Sequence, residues 1–476
     1  MSHDNTFDLA IIGAGSGGLS LASGTAQLGL KVALIEGHKM GGDCLNYGCV
    51  PSKALLAAAK SIYQCWHKAP KLGLVFESKF VDFTKVMQHV HSVIKNIEPH
   101  DSVERFESLG VAVFQEQGQF LDANTIQAGK QTIKARKIVI ATGSSPFIPP
   151  IQGIDTTKYL TNETIFDLTV LPKHLIVIGG GPIGCELAQA FAMLGSKVTL
   201  VEVMNILPKD DKDCVEVVRR SLKNMGIDIL EETRVNEVVQ KDESTIDVKI
   251  TTPSEDQTIS GSHLLVATGR RANVERLNLD TAGVSYTPKG ITVNVRLQTN
   301  QKHIFAIGDV VGPYQFTHVA SYQAGIVLRN IVFKIPAKVI YNAVPWVTYT
   351  YPELAHVGNT ENNLKERSDF TITEWRFSQS DRAQAEDETA GIIKVLANKQ
   401  GKIAGVTIVG AHAGELILPW VMALREGKNL RTFTDSIVPY PTLSEVSKQV
   451  SGEFYRPKLF SMKVRILVSW LQKLWW

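Results

Sequence analysis

Cysteine is scarce: Cys44, Cys49, Cys65, Cys185 and Cys214 are the five in a chain of 476 residues. That excludes the disulfide-dense framework of a small secreted scaffold. The opening stretch, MSHDNTFDLAIIGAG, does not show the basic region, apolar run and small-residue cleavage site of a secretion signal. A cytoplasmic, reducing compartment is therefore expected. No run of about 18 uncharged apolar residues occurs, which argues against a spanning helix. Charge of one sign is lacking as well. Lys plus Arg number 50 against 47 Asp plus Glu, a net +3, so nothing points to nucleic acid. The length suggests about three domains.

Glycine is present in an ordered pattern. From residue 7, FDLAIIGAGSGGLSLASGTAQLGLKVALIEG alternates an apolar strand, a glycine turn, an alanine-rich helix and a second strand. The same order returns from residue 175 in LIVIGGGPIGCELAQAFAMLGSKVTLVE. Each is a βαβ unit. Gly13, Gly15 and Gly18 form one GxGxxG turn, and Gly179, Gly181 and Gly184 form the other. Such turns bring backbone N–H groups at a helix start against a pyrophosphate. Glu36 and Glu202 end the following strands, where a carboxylate can accept from a ribose 2′-hydroxyl. An acid there disfavours a 2′-phosphate, and Val203, Met204 and Asn205 after Glu202 bring no cation. NAD(H) is thus expected over NADP(H) at the second unit. The bland alternative, two glycine turns kept only for packing, would need both units to have lost a ligand.

Beyond residue 342, VPWVTYTYPELAHVG, FTITEWRF, GIIKVLAN and KIAGVTIVG read as strands, with helices at AGELILPWVMALREG and PTLSEVSKQVSGEF. This is a separate antiparallel sheet with helices packed on it. The polar stretch 361–368 reads as a solvated face or loop rather than a binding element.

In GGDCLNYGCVPSK, residues 41–53, two of the scarce cysteines stand five positions apart. A straight helix would separate their Cα atoms by roughly 7.5 Å, beyond the reach of a disulfide. Pairing therefore requires a bend or a helix start between them, and Gly41, Gly42 and Gly48 ease it. Zinc would need four ligands, and His38 is a single neighbour. Two unrelated thiols remain the plain alternative.

GGDCLNYGCVPSKALL, the two glycine units, ATG at 141–143, ATGRRAN at 267–273, AIGD at 306–309 and PxVxxTxPExAxVG at 345–358 together resemble the class I pyridine nucleotide-disulfide oxidoreductases. That group includes dihydrolipoamide dehydrogenase, glutathione reductase and mercuric reductase. The likeness covers residues 7 to about 450 in order. It implies an α/β fold with two Rossmann-like dinucleotide-binding domains plus a C-terminal α+β dimerisation domain. The expected ranges are 1–150 and 281–341 for FAD, 151–280 for NAD(P)H, 342–455 for dimerisation and 456–476 for a basic aromatic tail.

The resemblance further implies a redox-active disulfide, with Cys49 the flavin-proximal thiol and Cys44 the interchange thiol. Lys53 would pair with Glu186 near the flavin. Thr142, Gly143 and Asp309 would join Gly13, Gly15, Gly18 and Glu36 on FAD, and Gly269 would join Gly179, Gly181, Gly184 and Glu202 on NAD. A homodimer is expected, with Tyr440 and Glu445 facing the other chain's Cys44, and a small-molecule or disulfide substrate.

Three departures stand out. YPTLSE puts Tyr440 where dihydrolipoamide dehydrogenases and glutathione reductases carry an acid-base histidine, while Pro441, Thr442 and Glu445 are kept. A phenol is a poor base at neutral pH. Tyrosine there is a feature of mercuric reductases, yet their C-terminal pair of adjacent cysteines is missing, since none follows Cys214. Asp43 replaces a threonine beside Cys44 and should raise that thiol's pKa. His318 and Tyr322 offer protons but are read as packing residues, as is His412. The nearest label is dihydrolipoamide dehydrogenase-like. The alternatives are a mercuric reductase-like enzyme, a quinone or electron-acceptor reductase, and, from another class, a degenerate binding protein.

RPKLFSMKVRILVSWLQKLWW, residues 456–476, is basic and aromatic. Lys458, Arg465 and Lys473 fall on one side of a continuous helix and Lys463 does not. The expectation divides between docking on the protein's own surface or dimer partner and lying in a membrane interface.

Overall fold

The computed structural model describes residues 6–76, 80–364, 367 and 369–475. The chain divides into two compact units. One comprises residues up to Trp66, Phe76–Val203 and Glu232–Ile340; the other comprises His67–Val75, Met204–Glu231 and Tyr341–Trp476.

In the first unit the apolar strand Thr6–Ile12 sits between Val32–Ile35 and Gln131–Ile140, parallel to both. Its alternate residues face opposite ways. Leu9 and Ile11 enter one core cluster with Leu21, Val327 and Ile331, and Ala10 and Ile12 enter another with Phe120 and Ile138. Both faces are therefore covered, as parallel strands require, and each large aliphatic side chain so buried contributes about 1.5–3 kcal/mol. Ile304–Ala306 adds to Gln131–Ile140 in parallel, returning the chain to the first sheet.

The second glycine unit repeats the arrangement. His174–Ile178 pairs in parallel with Lys197–Val201 and with His263–Val266. The stretch after ATG at 141–143 forms a further short pairing. Ser144–Pro146 pairs antiparallel with Arg270–Ala272, which brings ATGSSP and ATGRRAN together.

In the other unit the strands Pro345–Thr348, Glu353–Gly358, Ile403–Gly410, Ile392–Asn398 and Phe370–Arg376 form an antiparallel sheet in that order. Trp420, stacked on Phe433 at 3.8 Å, and Val446, Val450 and Phe454 of the helix Glu445–Leu459 share its core. The sheet also buries one cation. Lys394 Nζ stands 2.9 Å from Asp211, 2.6 Å from Asp213 and 3.0 Å from Glu361. Burial alone would discharge this ammonium, but the carboxylates around it outweigh that and raise its pKa. Glu361 thus has a structural partner, and Glu361–Leu364 is a short helix with Asn362 and Asn363 exposed, the solvated face of the two alternatives. Residues 365, 366 and 368 of the polar stretch lie outside the described residues.

Candidate active site

Both glycine turns take the geometry their spacing requires. Gly13 and Gly179 have φ of +109° and +111°, and a Cβ on either would collide with the carbonyl of Ala141 or Ala267. Gly18 and Gly184 press their helices onto the carbonyls of Gly13 and Gly179, again leaving no room for a side chain. The middle glycines differ. Around the Cβ positions of Gly15 and Gly181 nothing lies within 4 Å. That open approach to the starts of the helices Ser16–Gln27 and Pro182–Leu194 fits a pyrophosphate. Gly143, at φ +69°, and Gly269, at φ +137°, face equally open space.

The two terminal acids also match. Glu36 Oε2 accepts from the Ala14 N–H at 2.6 Å, and Glu202 Oε2 accepts from the Gly180 N–H at 2.6 Å. Each carboxylate is thereby fixed at the edge of its glycine turn.

Between Cys44 and Cys49 the helix does break. Gly42–Asn46 forms a short helix, Tyr47 and Gly48 leave helical geometry, and Cys49 begins the helix Cys49–Tyr63. This resolves the spacing problem set by the sequence. Both thiols are unbonded here; Cys44 is half-buried and Cys49 exposed.

Their environments separate them electrically. A hydrogen bond from Cys44 lowers the Cys49 pKa to about 6 against the effect of burial, helped by the Lys53 ammonium and by Thr317. Cys49 also occupies the first position of its helix, where a thiolate is favoured. Cys44 moves the opposite way, raised by its bond to Cys49, by burial and by the negative charge of Cys49. The reduced pair is a Cys44 thiol donating to a Cys49 thiolate.

Lys53 lies one helical turn beyond Cys49, and its Nζ reaches Glu186 Oε2 at 2.7 Å. Glu186 is buried on the helix that follows the second glycine turn. The expected pair is thus formed, and it fixes a positive charge beside Cys49.

Asp43 adds a negative charge that raises the Cys44 pKa, as its sequence position suggested, but it is the smallest contributor. Its carboxylate is partly neutralised by Arg270 at 3.0 Å and receives the Asn162 amide at 3.1 Å. Arg270 also donates to the hydroxyl and carbonyl oxygens of Ser144 at 2.8 Å. Asp309 accepts from the Ser144 hydroxyl at 2.6 Å, and burial raises its pKa despite that bond. Thr142 donates to the Asn273 carbonyl at 2.8 Å.

Thr317, Arg270, Asn162 and Ser144 were not singled out from the sequence. Thr317 Oγ1 stands 3.7 Å from Cys49 Sγ, next to the His318 that was considered instead. His318 stacks on Phe316, Tyr322 accepts from the Ile340 N–H, and His412 turns the chain at φ +56°.

Tyr440 belongs to the other unit and is 69% exposed. Its hydroxyl donates to Asp381 Oδ2 at 2.8 Å. That bond, the Asp381 charge and Glu445 raise the phenol pKa, so the side chain is a weaker acid than an ordinary tyrosine and stays protonated at neutral pH, leaving no phenolate to act as a base. Glu445 opens the helix Glu445–Leu459. Among the described residues no group of three or more His, Cys, Asp or Glu is arranged to hold a metal ion.

The family model for pyridine nucleotide-disulphide oxidoreductases matches residues 7–324, and the model for their dimerisation domain matches residues 344–451. The chain belongs to the pyridine nucleotide-disulphide oxidoreductase family. It is 35% identical over 457 residues to mercuric reductase of Staphylococcus aureus, covering 95% of this chain and 83% of that one. Dihydrolipoyl dehydrogenase of Geobacillus stearothermophilus is 33% identical over 450 residues, covering 93% and 94%. The solved HOCl-induced flavoprotein disulfide reductase RclA from Escherichia coli superposes with a TM-score of 0.84 at 27% identity, over 94% and 99% of the two chains. Its Cu(II) complex gives 0.84 at 27%, over 93% and 99%. As a member of this family the chain is an oxidoreductase-type enzyme with an α/β fold, a Rossmann-like dinucleotide-binding region and a separate C-terminal dimerisation domain.

Proposed function

We propose that the protein is an NADH-linked, FAD-containing disulfide reductase whose electron acceptor is a thiol-seeking metal ion. FAD belongs with residues 1–150 and 281–341, on Gly13, Gly15, Gly18, Glu36, Thr142, Gly143 and Asp309. NAD(H) belongs with 151–280, on Gly179, Gly181, Gly184, Glu202 and Gly269. When bound, the flavin supplies two-electron relay between nicotinamide and disulfide. A homodimer in the cytoplasm completes the reading.

The observation that carries the choice of acceptor is the Tyr440–Asp381 hydrogen bond beside the raised Cys44 pKa. Attack on a disulfide or dithiol substrate needs a Cys44 thiolate, and a base must take its proton. Tyr440, its own pKa raised, does not provide one. A soft metal ion needs no such base, because it displaces the thiol proton as it binds.

The overall chemistry balances. Hydride from NADH opens the Cys44–Cys49 disulfide to one thiol and one thiolate. The pair then gives two electrons to one two-electron metal acceptor, or to two Cu(II) ions. The S–S bond re-forms and one proton is released.

The likeness to a mercuric reductase and to a disulfide reductase solved as a Cu(II) complex supports this acceptor class. The dihydrolipoyl dehydrogenase likeness supports lipoamide as a second reading. An anaerobic competition decides between them. NADH-reduced protein is mixed with Hg(II), Cu(II) or lipoamide at neutral pH. Rapid reoxidation by a metal ion and slow reoxidation by lipoamide is expected; the reverse order would replace the metal reading with the lipoamide one.

A further inference from the structure

Beyond residue 451, where the matched dimerisation domain ends, the chain carries a helix whose large apolar side chains are mostly exposed among the described residues. Helix Glu445–Leu459 stops at Phe460, and a separate helix, Met462–Trp475, begins after Ser461. This corrects the expectation of one continuous helix, so Lys458 shares no face with Arg465 and Lys473. Instead Lys458 Nζ donates to the Lys399 carbonyl at 2.7 Å. Docking on the protein's own surface is not seen among the described residues. Trp470 and Leu474 are each 63% exposed and Ile466 62%, with Leu467 and Leu471 also open.

At about 100° per residue, Ile466, Leu467, Trp470, Leu471 and Leu474 fall within an apolar arc roughly 200° wide. Arg465, Ser469, Gln472 and Lys473 occupy the remaining side. Lys463 stands in the first turn inside the apolar arc, where its long stem lets the ammonium rise to headgroup level. Between Arg456 and Trp476 there are five cations and no carboxylate. No helix among the described residues is long and apolar enough to cross a membrane.

We infer that Met462–Trp475 is a membrane-surface helix that binds an anionic lipid bilayer, its apolar arc buried at the interface and its cations among the headgroups. The charge pattern decides against a second copy of the same helix. A two-fold contact pairs the segment with its own copy, which brings five more cations and no Asp or Glu to offset them. A surface of anionic lipid complements the whole segment, and an exposed tryptophan suits the headgroup boundary.

The test is flotation of the full-length, flavin-loaded protein with vesicles of phosphatidylcholine alone or mixed equally with phosphatidylglycerol. Binding to the anionic vesicles is expected, at least about tenfold stronger than to the neutral ones and weakened by added salt. L467E/L471E should abolish flotation while keeping the flavin content and NADH-driven activity of the parent. Should that variant fold poorly, K463E/R465E provides a second reading, with the preference for anionic vesicles lost. Failure of the parent to float, or unchanged flotation of both variants, would overturn the inference. So would conversion of a dimer to a monomer by L467E/L471E in light scattering, which would assign the helix face to a second copy.

Discussion

The cysteine helix and the Tyr440 turn make opposite use of one physical device, a hydrogen bond placed beside an ionisable group. At Cys49 the bond is received by the sulfur, with Lys53 nearby, and the charged form is favoured down to about pH 6. At Tyr440 the bond is given to the Asp381 carboxylate, and the neutral form is favoured instead. One region is built to hold charge at neutral pH and the other to stay uncharged. On the proposed reading, the cysteine pair cycles without residue 440, and acceptors that need a proton moved cannot rely on it.

The strongest way to break the comparison is to remove either sulfur. Cys44→Ser and Cys49→Ser should each lower NADH-driven acceptor reduction by about 1000-fold or more, and the double variant little further, because the two act as one unit. Steady-state assays with each acceptor check this. A double variant far below both singles would mean that the sulfurs act independently.

Next in size is Tyr440→His, which restores a base titrating near neutrality. Lipoamide turnover at pH 7 should rise by about 10². In the parent protein, with the Cys44 pKa raised, lipoamide turnover should climb with pH by up to tenfold per unit across the range above 7. The histidine variant should show a flatter profile, and parallel profiles would refute a missing base.

Smaller again is Lys53→Met. Loss of the ammonium should raise the Cys49 pKa from about 6, so the thiolate present above that pH in the parent recedes toward higher pH. The sign is that of a depressed acid: the thiolate persists above the folded pKa and is lost as pH falls through it. A pH titration of sulfur absorbance in reduced protein measures the midpoint. Thermal melting should also show a loss of stability, because Glu186 is buried 2.7 Å from the Lys53 ammonium, while Lys53→Arg should retain most of it.

The smallest expected effect is that of Tyr440→Phe. On the proposed reading the exposed phenol takes up no proton, so metal reduction should change by less than about threefold and the melting temperature hardly at all. A large fall in the metal-reduction rate would assign the phenol a direct part in the chemistry.

Much of this was legible in the residues. GxGxxG followed by a strand ending in Glu36 or Glu202 dictates a turn, a helix start and a carboxylate at its edge, because those are local consequences of spacing. The break between Cys44 and Cys49 followed from disulfide reach and from Gly48. What could not be read were meetings between distant segments. That Arg270 reaches Asp43 depends on the Ser144–Pro146 and Arg270–Ala272 pairing, and Asn162 follows the separate bridge between Leu160 and Leu265; no local pattern announces either. Thr317 was hidden for the same reason, since its hydroxyl matters only once the fold brings it to Cys49. The helix break at Phe460 and Ser461 was missed because neither residue is a strong terminator.

The most direct measurement is a thiol count on denatured protein before and after anaerobic reduction by NADH. With the pair oxidised at the start, a gain of about two thiols per chain is expected, matching one disulfide opened by one hydride. Bleaching of the flavin with no gain in thiols would contradict a redox-active Cys44–Cys49 pair.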